Sequence, residues 1–177
     1  IIDLRKNSGG NSGVGFGILA MLTDSPKLTV FKSKIPQYSA FRRARNLPSR
    51  PYIADDWNVD ASDARNFEGP VVVLVGPETY SAAEDFLVPF KLMKIGKIVG
   101  EPTGGSTGQP LYFRLPGGGL ARIVTKRDQY PDGSDFVGSG VEPEVIVRPS
   151  IQSIRAGEDK ILGKALEIIG TGKANLE

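Results

Sequence analysis

The stretch that decides the fold runs from Pro70 to Phe86 and reads PVVVLVGPETYSAAEDF. Its first part, Val71 to Val75, is a run of apolar and mostly β-branched residues between a proline and a glycine, which predicts a buried strand. Its second part, from Ala82 onward, favours a helix with acidic residues in its first turn. Ser81 stands between the two, at a helix N-terminus, where unpaired backbone N–H groups favour negative charge.

Ser81 has two interpretations within this stretch. With Glu84 three residues later it matches a capping box, in which both side chains satisfy backbone N–H groups at the helix start. The same position suits a nucleophile whose attack on a carbonyl carbon creates an oxyanion. The choice between a cap and a nucleophile therefore depends on residues elsewhere in the chain.

The composition excludes several classes of protein. The chain has 177 residues, of which 40% are hydrophobic and 24% are charged, as in a globular domain with a sizeable core. The net charge of +2 comes from interspersed charges of both signs, so we expect no nucleic-acid partner. The apolar runs are far shorter than the roughly 20 residues that span a membrane, so we expect no membrane span.

The chain contains neither cysteine nor histidine, which limits its chemistry. Without cysteine it has no disulfides, no thiolate catalysis and no cysteine-ligated metal, and we expect neither a metal nor a cofactor. Without histidine, a hydrolytic serine lacks its commonest general base within the chain.

The length and the lack of a convincing linker indicate one domain, and the two ends indicate its limits. The sequence opens directly on the strand-like segment Ile1 to Arg5, with no initiator methionine. We therefore interpret residues 1–170 as a core domain that is a fragment of a longer chain, with its N-terminal part missing. Residues 171–177 are interpreted as a tail outside the fold.

Strands and helices alternate along the chain and predict an α/β fold. Helices are expected over 14–22 and 158–169, strands over 27–32, 97–100 and 144–147, and a hairpin over 111–126. Pro89 is expected to kink or break the helix after Ser81 near residue 88. The charged segment 33–69 predicts an irregular excursion, either simply solvated or a lid that shapes a substrate site.

Two further segments supply partners for Ser81. Gly9 and Gly10 follow the first strand, where missing side chains let backbone N–H groups approach a ligand closely, although an ordinary turn has the same pattern. Together with the N–H of Ala82, they are candidates for an oxyanion hole. The loop 99–110 is either a flexible connector or a substrate loop at the same sheet edge, with Gly105 and Ser106 as candidate contacts.

These three segments, in this order, resemble the core of the S41 serine peptidases, the family of C-terminal processing peptidases and tricorn proteases. The strand 1–5 with Asn7-x-Gly9-Gly10 is similar to the family's oxyanion-hole segment, residues 76–84 to its nucleophile segment, and residues 99–109 to the loop that follows. The resemblance covers most of residues 1–148. It implies a ClpP/crotonase-like fold of layered ββα units, with Ser81 as the attacking residue.

One departure from the family concerns the general base. In the processing-peptidase branch the third loop carries a lysine base, and the alignment places Ser106 there, so a Ser–Lys dyad is not expected. The sequence Gly104-Gly105-Ser106 in this loop is more similar to the tricorn-like and retinoid-binding-protein-like branch. Tricorn-type enzymes take a histidine base from before the first strand seen here. The acidic helper of that branch is expected near residues 137–141, where the chain has no carboxylate.

The resemblance implies a hydrolase. It would be a serine endopeptidase core that cleaves peptide or protein substrates through an acyl-enzyme on Ser81. The base would come from outside the fragment, so the isolated chain is expected to be inactive. The resemblance also implies upstream domains of the same polypeptide, a tail-specific protease, and an extracytoplasmic location in the periplasm or cell envelope, and it leaves the oligomeric state open.

Two other functions compete with the peptidase. One is a non-catalytic module that keeps the peptidase fold and binds a ligand or peptide, which is consistent with the missing lysine and histidine. The other is a crotonase-type acyl-CoA enzyme, which shares the layered fold. The lack of an obvious nucleotide-binding feature makes the second alternative the weaker one.

Overall fold

The computed structural model describes residues 1–36, 38–48, 52–56, 59–60 and 67–170. In chain order its elements are β1 (Ile2–Asp3), α1 (Ser12–Ala20), β2 (Lys27–Leu28), β3 (Lys32–Pro36), α2 (Ala40–Ala44), β4 (Tyr52–Asp56), β5 (Val59–Asp60), β6 (Val72–Val75), α3 (Ala82–Leu92), β7 (Lys97–Gly100), β8 (Leu111–Arg114), β9 (Leu120–Ile123), β10 (Arg127–Gln129), β11 (Val145–Ile146), α4 (Ile151–Arg155) and α5 (Lys160–Gly170). The predicted α/β class is confirmed.

The main sheet has four parallel strands in the order β1-β6-β7-β11. β6 lies between β1 and β7, with Ile2 opposite Val73 and Val75 opposite Gly100. The strand at 97–100 thus lies next to the strand at 71–75, which is the arrangement that brings the loop 99–110 to the same sheet edge as Ser81. Because the carboxyl ends of parallel strands meet at one edge of a sheet, the segments that follow β1, β6 and β7 converge there.

Helices cover both faces of this sheet. Val73 and Val75 pack in one cluster with residues of α1 and α3, whereas Val72 and Leu74 pack in a second cluster with residues of α5. All four side chains are fully buried, and each contributes about 1.5–3 kcal/mol to folding by leaving water. Burial on both faces explains why β6 is a continuous apolar run rather than an alternating one.

The segment 27–32 is two short strands rather than the single strand that its alternation predicts. β2 pairs with β5, and β3 pairs with β10 and β4 in a separate antiparallel sheet. Val30 and Phe31 lie between β2 and β3, and both are buried in the core. A continuous strand would turn these neighbours to opposite faces, so the chain must leave the extended conformation here.

The helix α3 continues through Pro89 to Leu92, so of the two predicted alternatives the break near residue 88 is wrong, and the kink stays a prediction. Pro89 has no N–H to donate to the carbonyl of Asp85, which normally weakens a helix. Its neighbours Val88 and Phe90 are fully buried, and tertiary packing outweighs the lost hydrogen bond.

The charged segment 33–69 contains more regular structure than predicted. Its described parts include β3, α2, β4 and β5, while residues 37, 49–51, 57–58 and 61–66 lie outside the described residues, as does the tail 171–177. The predicted hairpin is confirmed as β8 and β9, joined by a turn in which the N–H of Leu115 donates to the carbonyl of Gly119. None of the helices in the described ranges is long and apolar enough to cross a membrane.

Candidate active site

Ser81 occupies a strained turn between β6 and α3. Its φ of 54° and ψ of −125° lie outside the regions that a residue with a side chain prefers. An ordinary helix cap has an extended backbone, as Asn11, Ser39 and Ser150 do before their own helices. The Glu84 carboxylate does accept a hydrogen bond from the Ser81 backbone N–H at 3.2 Å. Capping alone, however, needs no strain, and strain of this kind is typical of functional turns.

The turn that carries Ser81 is bound on both sides by the neighbouring loops. On one side, the N–H of Tyr80 donates to the carbonyl of Asn7 at 3.0 Å. On the other side, the N–H of Ser81 donates to the carbonyl of Ser106 at 2.9 Å, and the N–H of Gly104 donates to the carbonyl of Thr79 at 2.9 Å. The structure thus brings together the three segments that the sequence singled out.

Gly9 makes direct contact with the Ser81 turn. A β-carbon at position 9 would lie 2.6 Å from the Ser81 Cβ and 3.0 Å from the Ala82 nitrogen, and the φ of Gly9 is +104°. Both facts require glycine here. The N–H of Gly9 donates to the Asn7 side-chain oxygen at 2.9 Å. Among the described residues, the N–H groups of Gly10 and Ala82 have no acceptor. Gly10 and Ala82 are therefore better placed than Gly9 to hold an oxyanion.

The Glu84 carboxylate holds the loop at 103–106 in place. Glu84 is fully buried, and its oxygens accept from the hydroxyl of Thr103 at 2.5 Å and from the N–H groups of Gly105 and Ser106 at 2.7 and 2.9 Å. Counting the Ser81 N–H, four donors surround one carboxylate. Such donors stabilise the negative charge inside the protein.

Gly105 and Ser106 take different places beside Ser81. Gly105 is buried, its N–H is bound by Glu84, and its carbonyl accepts from the N–H of Gly138 at 2.7 Å. Its position supports the loop and leaves no backbone group free for a substrate. Ser106 is half-buried next to Ser81, and its carbonyl accepts from the Ser81 N–H.

Asp85, the next residue of α3, is also buried. Its Oδ2 accepts a hydrogen bond from the hydroxyl of Ser12 at 2.6 Å, and its Oδ1 lies 3.1 Å from the hydroxyl oxygen of Thr107. Burial raises the pKa of Asp85 to about 6, the hydrogen bond from Ser12 lowers it in part, and the nearby carboxylate of Asp128 raises it further.

An apolar cleft of about 250 Å³ opens beside the Ser81 turn. Gly9, Gly10 and Ala82 form one wall of the cleft, together with Asn7 and Asn11. The remaining lining is almost entirely apolar and comes from β1, α1 and α3: Ile2, Leu4, Val14, Gly15, Ile18, Ala83 and Phe86. An apolar side chain fits the chemistry of this cleft, because its lining includes no charged group.

The sequence alone predicts only a capping role for Glu84 and no role for Asp85 beyond favouring the helix start. The signal that reveals them is the pattern of α3, which is apolar on every side from Ala82 to Phe90 apart from these two acids. A helix that is apolar all round is buried, so its acids are buried as well and require hydrogen-bond donors from other segments. The partners Thr103, Ser12 and Thr107 are distant in sequence and become visible only in the fold.

A serine on a strained strand-to-helix turn, beside unpaired backbone N–H groups, is the arrangement of a serine hydrolase. The family comparison agrees: the model of Peptidase family S41 matches residues 1–147. The chain belongs to this family, whose members are serine-type proteases. The predicted family and its fold are thereby confirmed.

Individual relatives match most of this chain but are longer. The chloroplastic C-terminal processing peptidase of Tetradesmus obliquus is 29% identical over 151 residues, which are 85% of this chain and 29% of the relative. The structure of mature CPAF has a TM-score of 0.73 at 18% identity and covers 99% of this chain and 45% of its own. The structure of the tricorn protease has a TM-score of 0.62 at 20% identity, and the match covers 96% of this chain and 14% of the tricorn chain. The chain thus spans about a third of the length of the curated relative.

Proposed function

We propose that this chain is the catalytic core of a serine endopeptidase in which Ser81 is the nucleophile. The observation that carries the proposal is the strained backbone of Ser81, which faces the Gly9-Gly10 loop across a contact that only glycine permits. A cap needs neither feature.

The proposed reaction has two steps. The Ser81 hydroxyl oxygen attacks the carbonyl carbon of the scissile peptide bond while its proton passes to a general base. The resulting oxyanion accepts hydrogen bonds from the N–H groups of Ala82 and Gly10. The C–N bond then breaks, the amine leaves with the proton, and water hydrolyses the acyl group from Ser81.

The general base is proposed to lie outside these 177 residues. The sequence contains no histidine, and a serine occupies position 106, where the family resemblance would place a lysine. An unactivated serine is a weak nucleophile, so the chain by itself is expected to have little activity. We further propose that the upstream part of the polypeptide supplies the base, and that the enzyme acts outside the cytoplasm, which rests on the family resemblance alone.

The substrate is proposed to be a peptide or protein with an apolar side chain next to the scissile bond. This proposal is supported by the position of the apolar cleft, which shares Gly9, Gly10 and Ala82 with the candidate oxyanion hole. A carbonyl oxygen bound at those N–H groups would place the neighbouring side chain at the mouth of the cleft.

Peptide hydrolysis by the natural polypeptide that contains this chain tests the proposal. Ser81→Ala is compared with wild type and with Ser139→Ala, which removes a hydroxyl from an exposed serine. We expect Ser81→Ala to lower kcat by at least about 10³-fold and Ser139→Ala to leave it unchanged. Equal turnover in all three proteins would remove Ser81 from the mechanism. A wild-type protein that binds peptides but does not cleave them would favour the non-catalytic binding module.

A further inference from the structure

Asp85 connects the two loops that flank Ser81. Its Oδ2 accepts from the hydroxyl of Ser12 at 2.6 Å, and its Oδ1 lies 3.1 Å from the hydroxyl oxygen of Thr107. Ser12 begins α1, two residues after Gly10, and Thr107 directly follows Ser106. One carboxylate, one turn of helix from Ser81, therefore bonds both the candidate oxyanion loop and the loop on the opposite side.

The hydrogen bonds continue from Thr107 into the second sheet. The Thr107 hydroxyl lies 3.4 Å from Oδ2 of Asp128. Asp128 is fully buried and accepts from the Ser33 hydroxyl at 2.6 Å, and its Oδ1 lies 2.9 Å from the ammonium of Lys126. The charged groups that face Asp85 are thus Asp128 and Lys126 from the segment of β10, since α1 offers only the Ser12 hydroxyl and Glu84 on α3 bonds the loop at 103–106.

The number of available hydrogens indicates which protonation state of Asp85 completes this series of hydrogen bonds. The Thr107 hydroxyl has one hydrogen, so it can make only one full hydrogen bond, either to Asp85 or to Asp128. If Asp85 is ionised, one of these two oxygen–oxygen contacts lacks a hydrogen. If Asp85 carries a proton on Oδ1, it donates to Thr107, and Thr107 donates in turn to Asp128. Each oxygen–oxygen contact from Ser12 through Asp85 and Thr107 to Asp128 then has a hydrogen.

We propose that Asp85 is a positioning residue that holds the Gly9-Gly10 loop and the 103–110 loop in register around Ser81, through Ser12 and Thr107, and that its protonated form holds them more tightly. The link to catalysis rests on the proposed function, whereas the link between the loops does not. Loss of the link would let Gly10 move away from the cleft that it lines together with Ala82.

Hydrogen–deuterium exchange of the natural polypeptide, followed over the peptides of this chain, tests the link without requiring peptidase activity. We expect Asp85→Ala to speed exchange by about ten-fold in both 8–13 and 103–109, the change expected when one buried hydrogen bond is lost. Ser12→Ala should speed exchange mainly in 8–13, and Thr107→Val mainly in 103–109. The two single hydroxyl variants keep the proposal testable if Asp85→Ala does not fold.

Asp85→Asn separates positioning from mere packing. Asn keeps the shape and can accept from Ser12 and donate to Thr107, but it does not titrate. After correction for intrinsic rates, we expect exchange in both loops of wild type to increase between pH 5 and pH 8, and we expect Asp85→Asn to retain protection and to lack this increase. The proposal is overturned if Asp85→Ala affects one loop only, or if the pH dependence survives in Asp85→Asn.

Kinetics of the natural polypeptide provide a second readout. Asp85→Ala should lower kcat about ten-fold or more with little change in KM, because positioning of the oxyanion donors acts in the transition state. A rise in KM at constant kcat would overturn the catalytic part of the proposal. If wild type itself does not hydrolyse peptides, the proposed function fails, and the exchange experiment still decides the role of Asp85.

Discussion

Gly9 packs against Ser81 so closely that a β-carbon at position 9 would lie 2.6 Å from the Ser81 Cβ. The contact joins the segment after β1 to the segment after β6, which are 72 positions apart in sequence. Real β-carbons essentially never approach another atom so closely. The geometry of Ser81 therefore depends on a residue that carries no side chain.

Gly9→Ala should displace the Ser81 turn. Alanine at a φ of +104° is strained, and its methyl group would collide with Ser81, so we expect a loss of about 3 kcal/mol in the free energy of unfolding. Urea unfolding measures this loss. Gly17→Ala is the matched control, since Gly17 lies in α1 with an ordinary φ and with open space where the added methyl group would lie; it should be neutral or gain up to about 1 kcal/mol. Equal stability of the two variants would contradict the contact.

The strain at Ser81 predicts that removing its β-carbon stabilises the protein. Glycine adopts positive φ easily, whereas alanine retains the strain, so Ser81→Gly should be more stable than Ser81→Ala by about 1 kcal/mol. Thermal or urea unfolding of the two variants gives this difference directly, with the hydroxyl absent from both. If Ser81→Gly is the less stable of the pair, the turn is not strained.

Glu84→Gln should be severely destabilising. The carboxylate accepts from four donors, and an amide would turn its NH₂ group toward two of them, so we expect a loss of about 3 kcal/mol. The exposed Glu78, just before the same helix, is the control, and Glu78→Gln should change stability by less than about 0.5 kcal/mol. A loss at position 84 no larger than at position 78 would show that the four hydrogen bonds are not formed.

The pKa of Asp85 predicts how stability changes with pH. Burial raises this pKa from 3.8 to about 6, so the folded state holds the proton more tightly than the unfolded state. The contribution of Asp85 to the free energy of unfolding is therefore greatest below pH 4. It falls by roughly 3 kcal/mol in total as the pH rises through 6.

Comparison with Asp85→Asn isolates this effect, because the other titrating groups are the same in both proteins. Urea unfolding should show that the free energy of unfolding of Asp85→Asn, relative to that of wild type, is higher at pH 8 than at pH 4 by roughly 3 kcal/mol. A difference that does not change with pH would mean that Asp85 keeps an ordinary pKa.

The strands next to the site were predictable because their sequence signal is local. Val71 to Val75 is buried on both faces of a parallel sheet, and such a strand is apolar throughout. The same reasoning found Ser81 and the Gly9-Gly10 turn, since a strand followed by glycine or by a helix start is visible in a short window. It failed at Val30 and Phe31, where both side chains enter the core and tertiary packing overrides the alternation.

The supporting residues of the site were not predictable for a physical reason. The roles of Glu84 and Asp85 depend on Ser12, Thr103 and Thr107, which lie about 20 or 70 residues away in the chain. Serine and threonine are common at many surface positions, so the residue types alone do not mark these three as part of the site. Only the parallel order of β1, β6 and β7 brings them to one sheet edge, so their function follows from topology and not from a motif.

Covalent acylation of Ser81 is the step on which the proposed mechanism depends. The natural polypeptide would be incubated with a mechanism-based acylating inhibitor of serine peptidases, digested, and mapped by mass spectrometry, with Ser81→Ala and Ser139→Ala in parallel. We expect one adduct, on Ser81, which disappears in Ser81→Ala and persists in Ser139→Ala. Peptide hydrolysis by wild type with no adduct on Ser81, or with undiminished turnover in Ser81→Ala, would contradict the mechanism.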